Sequence, residues 1–558
     1  MRALKIIGVI VGCIVAVLIA ALIALWLIVN PNDYKGRIEA AVRSSTGRDL
    51  ALTGNIHLAI FPSIALELGP ASLGNPPGFS SSQPFASLRR VSLSVRVLPL
   101  LHHQLDVGKV EIEGLDLRLL KNAQGQGNWA MPAEKTAPAA QTSGSNQVTL
   151  GGIGGVVVKR SRVSYQDLVV NNVDVNIGRV GTAVPIPVRW SLNVTTAPGA
   201  KPIPLSGSAT LEYDAKSARL SGLDARIDRS TLRGNAAVSN LTTGAMSFDL
   251  SIDQIDLDRY LGTSKSAPPA APKNTAVAQN QPPTELPTSA LKTLQLNGKV
   301  TIGSATLYGM KLSQVDVGLA ADHGILHVTP ATAKLYGGTS DGNVTLDAQG
   351  AVPVLHLDEN LAGIDVQPLL VDFAKFNRVS GRGNVTVNVT AHGNTTAALT
   401  SSLDGHAAVN LTNGAINGLD LWSAVNSAVA LVQKHALPTG GMGKSTRFDA
   451  FKASADLTNG IASTKDLDIA SGDLHVTGQG TTNLVTGAVN YRLSAAILKG
   501  PSAGALANIP LLITGTMTSP SVRPDTQGLL KSVAQQQLQK NKGAIVNKLK
   551  GALKGLIH

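Results

Sequence analysis

The chain has 558 residues, 43% of them apolar but only 3% aromatic, and a formal net charge of +12 that forms no dense cluster before the C-terminal tail. Nucleic-acid binding calls for basic patches interleaved with aromatics, and the sequence has none; a positive bias suits an anionic lipid surface at least as well. Cys13, the single cysteine, excludes an intramolecular disulfide framework and a cysteine metal site.

In chain order, Ile6 to Val29 contains no charged residue and is long enough to cross a bilayer as a helix. Arg2 and Lys5 precede it, which predicts a cytoplasmic N-terminus and export of the residues after about Asn30. The segment ends Trp26-Leu27-Ile28-Val29 without a small-x-small cleavage site, so an uncleaved anchor over residues 1–30 is expected. A short helix follows, because Tyr34, Ile38, Ala41 and Val42 recur at helical spacing and Gly47 stands where a left-handed C-cap is wanted. The period then shortens to that of a strand. Leu50, Leu52, Ile56, Leu58 and Ile60 fall on even positions with mostly polar residues between them, interrupted at Gly54. One apolar face and one polar face is the physical content of that pattern. Ile64, Leu66 and Leu68 continue it. After a turn-rich stretch from Asn75 to Phe85, Val91, Leu93, Val95 and Val97 alternate on odd positions as far as Pro99. Leu105 and Val107, Val110 and Ile112, and Leu115, Leu117 and Leu119 come next, with turns expected at Gly108 and Gly114.

Pro132 to Gln147 has the composition of a flexible loop, and Ser264 to Pro287, rich in Pro, Ala and Gln, that of a boundary. Strands then run from about Leu294 to Pro524, interrupted by one helical pattern, Leu419 to Leu437. The predicted organisation is therefore an anchor (1–30), a β module (31–263), a linker (264–287), a second β module (288–525) and a basic amphipathic helix (526–558). Internal repetition supports two related modules. Ser161 to Tyr165 followed by Val173-Asp174-Val175 matches Gly303 to Leu307 followed by Val315-Asp316-Val317, and Ile255 to Leu261 resembles Ile364 to Leu370. In the tail, Lys531, Lys540, Lys542, Lys548, Lys550 and Lys554 are opposed by no acid, while Ile545, Leu549, Ala552, Leu553 and Leu556 share one helical face. This fits an interfacial helix on a membrane surface or a cap on the open end of a sheet.

The apparent chemical motifs are weak. Pro438 to Ser445 (PTGGMGKS) lacks the first glycine of a phosphate-binding loop and the strand that should precede it. Gly151 to Gly155 has no following helix or partner acid, which predicts a turn. His323 and His327 share no helical face, and no acidic cluster accompanies either them or His102-His103, as a metal site would require. Asp253, Asp256 and Asp258 fit capping at a strand-to-helix turn better than calcium. No nucleophile constellation is present, so neither an enzyme nor a cofactor is expected.

A wider likeness is carried by Tyr34-Lys35, Thr46 to Pro62 (TGRDLALTGNIHLAIFP), Asn75 to Phe79 (NPPGF), Leu98 to Leu101 and Asn128-Trp129. Farther on, Leu335 to Gly338 (LYGG), Gly381-Arg382-Gly383, Asn413 to Leu421 (NGAINGLDL) and Ile509 to Asp525 (IPLLITGTMTSPSVRPD) extend it. In this order they resemble the bacterial AsmA family, which includes TamB-like proteins and is distantly akin to chorein-type lipid bridges. The resemblance implies an inner-membrane anchor and a periplasmic body built from a bent β-sheet with an apolar interior. It also implies a role in outer-membrane homeostasis through phospholipid transport.

The fold expected is mostly β: a transmembrane helix, then long bent antiparallel β-sheet modules with an apolar groove, few short helices and a C-terminal amphipathic helix. A one-sided sheet must cover its apolar face, by packing on another sheet or by curling so that the face lines a groove. Strand period alone favours packing; the resemblance favours the groove. Its expected lining is Leu50, Leu52, Ile56, Leu58, Ile60, Val91, Leu93, Val95, Val97, Val110, Ile112, Leu115, Leu117 and Leu119, with Lys540, Lys542, Lys548, Lys550 and Lys554 facing a membrane surface. The expected partners are phospholipid, the inner membrane and outer-membrane or periplasmic proteins, with no nucleic acid. The competing reading is a non-transporting scaffold whose interior is packed shut. An outer-membrane barrel fits poorly with the anchor, the scarce aromatics and the Pro-rich linker.

Overall fold

The computed structural model describes residues 30–59, 64–79, 83–95, 104–122, 124–129, 149–181, 184–260, 288–433, 445–499 and 508–534. The apolar segment Ile6–Val29, Ile60, Val97, His102-His103, the linker 264–287, most of PTGGMGKS and the lysines from Lys540 onward lie outside the described residues. Among the described residues no helix is long and apolar enough to cross a membrane. Strands dominate, nearly all pairs are antiparallel and the helices are short. Tertiary contacts divide the chain into two units, Met1–Thr242 and Thr243–His558.

In the first unit, the helix Lys35–Thr46 ends at Gly47 with φ 68°, the left-handed cap that its sequence predicts. Side chains fasten this region to the first strands. Glu39 Oε1 accepts from Leu52 N at 2.8 Å, while Asn32 accepts from Ile56 N at 2.9 Å and donates to Ile56 O at 3.2 Å. These bonds satisfy backbone groups that a strand edge would otherwise leave open.

Eight short strands then act as four long, creased ones: β1 (Leu50–Leu52) with β2 (Ile56–Ala59), β3 (Ile64–Leu68) with β4 (Ala71–Leu73), β5 (Ala86–Leu88) with β6 (Arg90–Val95), and β7 (Gln104–Glu113) with β8 (Asp116–Leu119). Pairing runs β1–β4–β5–β8 on one side of the crease and β2–β3–β6–β7 on the other. Hydrogen bonds continue through it, from Gly54 N to Pro70 O (2.8 Å), Arg89 N to Glu113 O (3.0 Å) and Gly114 N to Lys159 O (2.9 Å). A Cβ on Gly54 would strike the backbone of Gly69, so this bend needs glycine.

β9 (Thr149–Tyr165) lies parallel to both β7 and β8. An antiparallel meander completes the unit: β10 (Leu168–Ile177), β11 (Ile186–Thr195), β12 (Ile203–Tyr213), β13 (Ala218–Ile227) and β14 (Ser230–Asn240). Two expected turns are corrected here. Gly108 lies inside β7, and Gly151 to Gly155 lie inside β9. A Cβ on Gly154 would meet the backbone of Gly108, and one on Gly155 would meet Ile177 O. These glycines mark close approach between neighbouring strands, which a single-strand pattern does not reveal.

The second unit begins with β15 (Ala245–Asp256) parallel to β16 (Leu296–Leu307), which ties β15 to strands beyond the Pro-rich stretch. β17 (Met310–Asp322), β18 (Ile325–Leu335), β19 (Gly338–Asp347), β20 (Val354–Asp365), β21 (Val379–His392) and β22 (Asp404–Asn417) continue antiparallel. β23 (Ser445–Thr458), β24 (Ile461–Ser471), β25 (Leu474–Asn483), β26 (Val489–Ile497), β27 (Ile509–Thr516) and β28 (Ser519–Pro524) follow. Each sequence repeat falls on equivalent local structure. The first falls on the hairpins β9–β10 and β16–β17, whose two-residue loops place Gln166 (φ 51°) and Tyr308 (φ 49°) in the left-handed region. The second marks strand-to-helix junctions at Asp256 and Asp365. Asp258 caps across the unit, accepting from Tyr308 N at 2.5 Å and Gly309 N at 2.7 Å.

The helix Leu421–Gln433 buries Leu421, Ala424, Val425, Ala428 and Val429, the i, i+3, i+4 stripe of an amphipathic helix. Asp420 caps it through Ser423 N at 2.9 Å, and Thr446 Oγ1 accepts from Leu421 N at 2.9 Å while donating to Leu419 O at 2.6 Å. Its stripe joins Phe448, Ile469, Leu474, Val476, Leu493 and Leu511 in one closed core. Asp525 then starts a helical stretch over 526–534, whose Leu529 is buried in that core while Leu530 is 74% exposed. These first turns cap the core.

Candidate functional site

Residues in direct register on neighbouring strands face the same side of a sheet, so register converts strand period into a surface. One row of partners in the first unit is Ile56–Leu68–Val91–Ile112–Val158–Val175–Trp190–Gly207–Ala225–Leu232. The next is Leu58–Leu66–Leu93–Val110–Val156–Ile177–Val188–Ala209, and Val95–Val107–Ile153 begins a third. Between the first two runs His57–Glu67–Ser92–Glu111–Val157–Asn176–Arg189–Ser208–Asp224–Arg233, which faces the other way. One face is apolar across ten strands and the other almost wholly polar. At the usual strand spacing, the apolar face is about 45 Å across.

Beyond the crease, Leu50–Leu73–Ala86–Leu117–Val163–Val170–Val194–Ile203 forms a further apolar row. Leu52 pairs with Ala71 and Leu119 with Tyr165, while Leu115 lies at the break, its N donating to Ser161 Oγ at 3.2 Å. The register thus groups Ile56, Leu58, Val91, Leu93, Val95, Val110 and Ile112 on one side of the crease and Leu50, Leu52, Leu117 and Leu119 on the other. Bulges carry the rows past the crease: Arg160 and Asn172 take φ 49° and 51°, each shifting the alternation by one residue. Trp190 was not singled out by the sequence. Its ring lies over Gly207, where a Cβ would collide with it, so a small residue opposite a large one keeps the face level.

The apolar face is only partly buried through the first unit and most of the second, and burial deepens near the helix Leu421–Gln433. In the first unit, Leu52 and Ile56 are buried, but Leu58, Val91, Leu93, Val95, Val110 and Ile112 are only half-buried and Leu66 is 40% exposed. An apolar face of this extent left half-open marks an interaction surface. The opposite face is stitched by charge. Arg233 meets Asp224 at 3.1 Å and Lys159 meets Glu111 at 2.6 Å, which holds the Glu111 carboxyl below its usual range. The buried Glu113 accepts from Arg90 at 2.8 Å and from Arg160.

In the second unit the row Leu250–Val300–Val317–Ala331–Gly342–Glu359–Val387–Ala407–Ala455 repeats the pattern with one interruption. Glu359 lies over Gly342, accepts from Ser340 Oγ at 2.7 Å, and is pushed above the usual carboxylate range by burial, partly offset by that hydrogen bond. Farther along, the apolar face closes under the helix Leu421–Gln433.

The AsmA family model matches residues 1–201 and 193–467. The chain belongs to the AsmA family. It is similar to Protein AsmA of Escherichia coli strain K12, with 22% identity over 516 residues, covering 83% of this chain and 82% of that protein. Several residues that carry the AsmA likeness have structural roles. Fully buried Asn128 donates to Asn75 Oδ1 (2.8 Å) and Arg118 O (2.7 Å) and accepts from Leu120 N (2.9 Å), tying Asn128-Trp129 to the NPPGF stretch. Arg48 of TGRDLALTG lies over the Phe85 ring at 4.6 Å.

Proposed function

We propose that this AsmA-family chain is an inner-membrane-anchored periplasmic protein that supports outer-membrane homeostasis by binding and conducting phospholipid along its apolar sheet face. The observation that carries this reading is the row from Ile56 to Leu232, apolar across the first unit, half-open and backed by a polar row. Acyl chains cost about 0.8 kcal/mol per methylene in water, so a two-chain lipid faces on the order of 20 kcal/mol. A continuous apolar track removes most of that cost without chemistry, while headgroups stay in water at its open side.

The non-transporting scaffold draws support from the second unit, whose core is closed by a helix. A photo-crosslinker in cells separates the readings. Placed at Leu52, Leu58, Leu93 and Val95 it should capture phospholipid, and at Asn55, His57, Ser92 and Ser94 it should not. Equal labelling of both sets, or no lipid adduct at either, would overturn the track.

A further inference from the structure

We infer that the second unit contains a distinct site for one acyl chain bearing an oxyanion head, which is held by Arg378. An apolar cavity of about 410 Å³ opens where the inner face closes beside Leu421, lined by Val409, Phe451, Leu467, Leu493 and Ile513. Scaled against the roughly 150 Å³ apolar cavity that accepts benzene, it takes on the order of sixteen carbons, one acyl chain and not two. Among the described residues, Arg378 is the only charged one in its wall.

Two backbone carbonyls engage that guanidinium. It donates to Asn417 O at 3.4 Å and to Thr518 O, bridging the end of β22 and the β27–β28 turn. Gly418, at φ 79°, makes room for it, since a Cβ there would collide with the guanidinium. Among the described residues no carboxylate pairs with Arg378, and most of its N–H donors are unused. A permanently charged fork matches a carboxylate or a phosphate, and one carried by a residue in the wall of an apolar cavity selects an anionic amphiphile.

The site rests on the lipid reading above for its ligand class alone. The test uses the full chain in amphipol, titrated with tritiated palmitate, palmitoyl-lysophosphatidylglycerol and neutral hexadecanol. The anions should bind about tenfold more tightly than hexadecanol, as one charge-assisted hydrogen-bonded pair allows. Arg378→Gln should erase that margin and leave hexadecanol unchanged. Ala453→Phe, which fills the cavity, should weaken all three; Ala407→Leu serves if the first filling variant does not fold. Arg233→Gln, on the polar face of the first unit, should change none. Binding of palmitate alone assigns a free carboxylate head, and binding of the lysolipid alone assigns a phosphate headgroup. Anion binding with no crosslinks at Leu58 and Leu93 refutes conduction and keeps the pocket. Equal affinity for hexadecanol and palmitate, or indifference to Arg378→Gln or to filling, overturns it even if those crosslinks form.

Discussion

Replacing Leu421 by Ala and Leu66 by Ala removes the same atoms from a closed core and from a half-open face. Leu421 is fully buried, so losing three carbons costs about 2.4 kcal/mol in transfer at ~0.8 kcal/mol each. It also borders a cavity, and the added void raises the total to about 3–4 kcal/mol, within the range for buried leucines. Leu66 is 40% exposed, so only about 1.4 kcal/mol is at stake, and a face open to its surroundings keeps no void. Hydrogen exchange of the full chain reads the two regions separately. Local opening of β22–β24 in Leu421→Ala should become easier than that of β3 and β6 in Leu66→Ala by about 2 kcal/mol, roughly thirtyfold in exchange rate. Equal effects would mean that the first unit's apolar face is a sealed core, and the track would be lost with it.

Glu359→Gln should stabilise the protein at neutral pH. Burial raises the folded-state carboxyl, so native stability falls as pH climbs from the ordinary glutamate range through the raised value, and the variant lacks that loss. Its advantage in denaturant titrations should vanish in acid, where the carboxyl is neutral folded and unfolded; an advantage that persists there would contradict this. Gly207→Val should displace Trp190, costing about 1–3 kcal/mol and red-shifting tryptophan emission, and an unchanged spectrum would place the ring elsewhere. A peptide of residues 535–558 should bind anionic vesicles and release at high salt if the tail lies on a membrane, whereas no binding at low salt would extend the cap seen at Leu529. Reporters active only outside the cytoplasm should be active when fused after Gly47 and after Asp525; silence at both would reverse the proposed topology.

Alternation made the strands legible from Leu50 to Leu119, and the cap at Gly47 and the helix near Leu421 were equally plain. What strand period lacks is a partner. Nothing in β7 or β9 says that they lie parallel to each other, so the rows that define the face needed the register. Bulges hid the rest: at Arg160 and Asn172 the inward parity shifts, and a reader following odd or even positions falls onto the wrong face. Glycine was ambiguous for a physical reason. Gly47 permits a positive φ, Gly154 permits a neighbouring backbone, and the letter is the same. Arg378 gave no signal, because its meaning comes from a carbonyl 140 positions away.

The order of pairing has a consequence for how the chain can assemble. From β16 onward each strand takes its place against the strand just before it, so a chain emerging N-terminus first always finds its template already laid down. The helix Leu421–Gln433 is the exception. Its cover is completed by β27 and β28, which come about ninety residues after it, so it stays partly uncovered while the intervening strands are added. Growth by hairpins is therefore open-ended, and sealing is a final event. Repeating a hairpin between β16 and β22 would lengthen the sheet by about 10 Å without disturbing the seal, whereas truncation before β27 would strip the helix of the last strands that cover it.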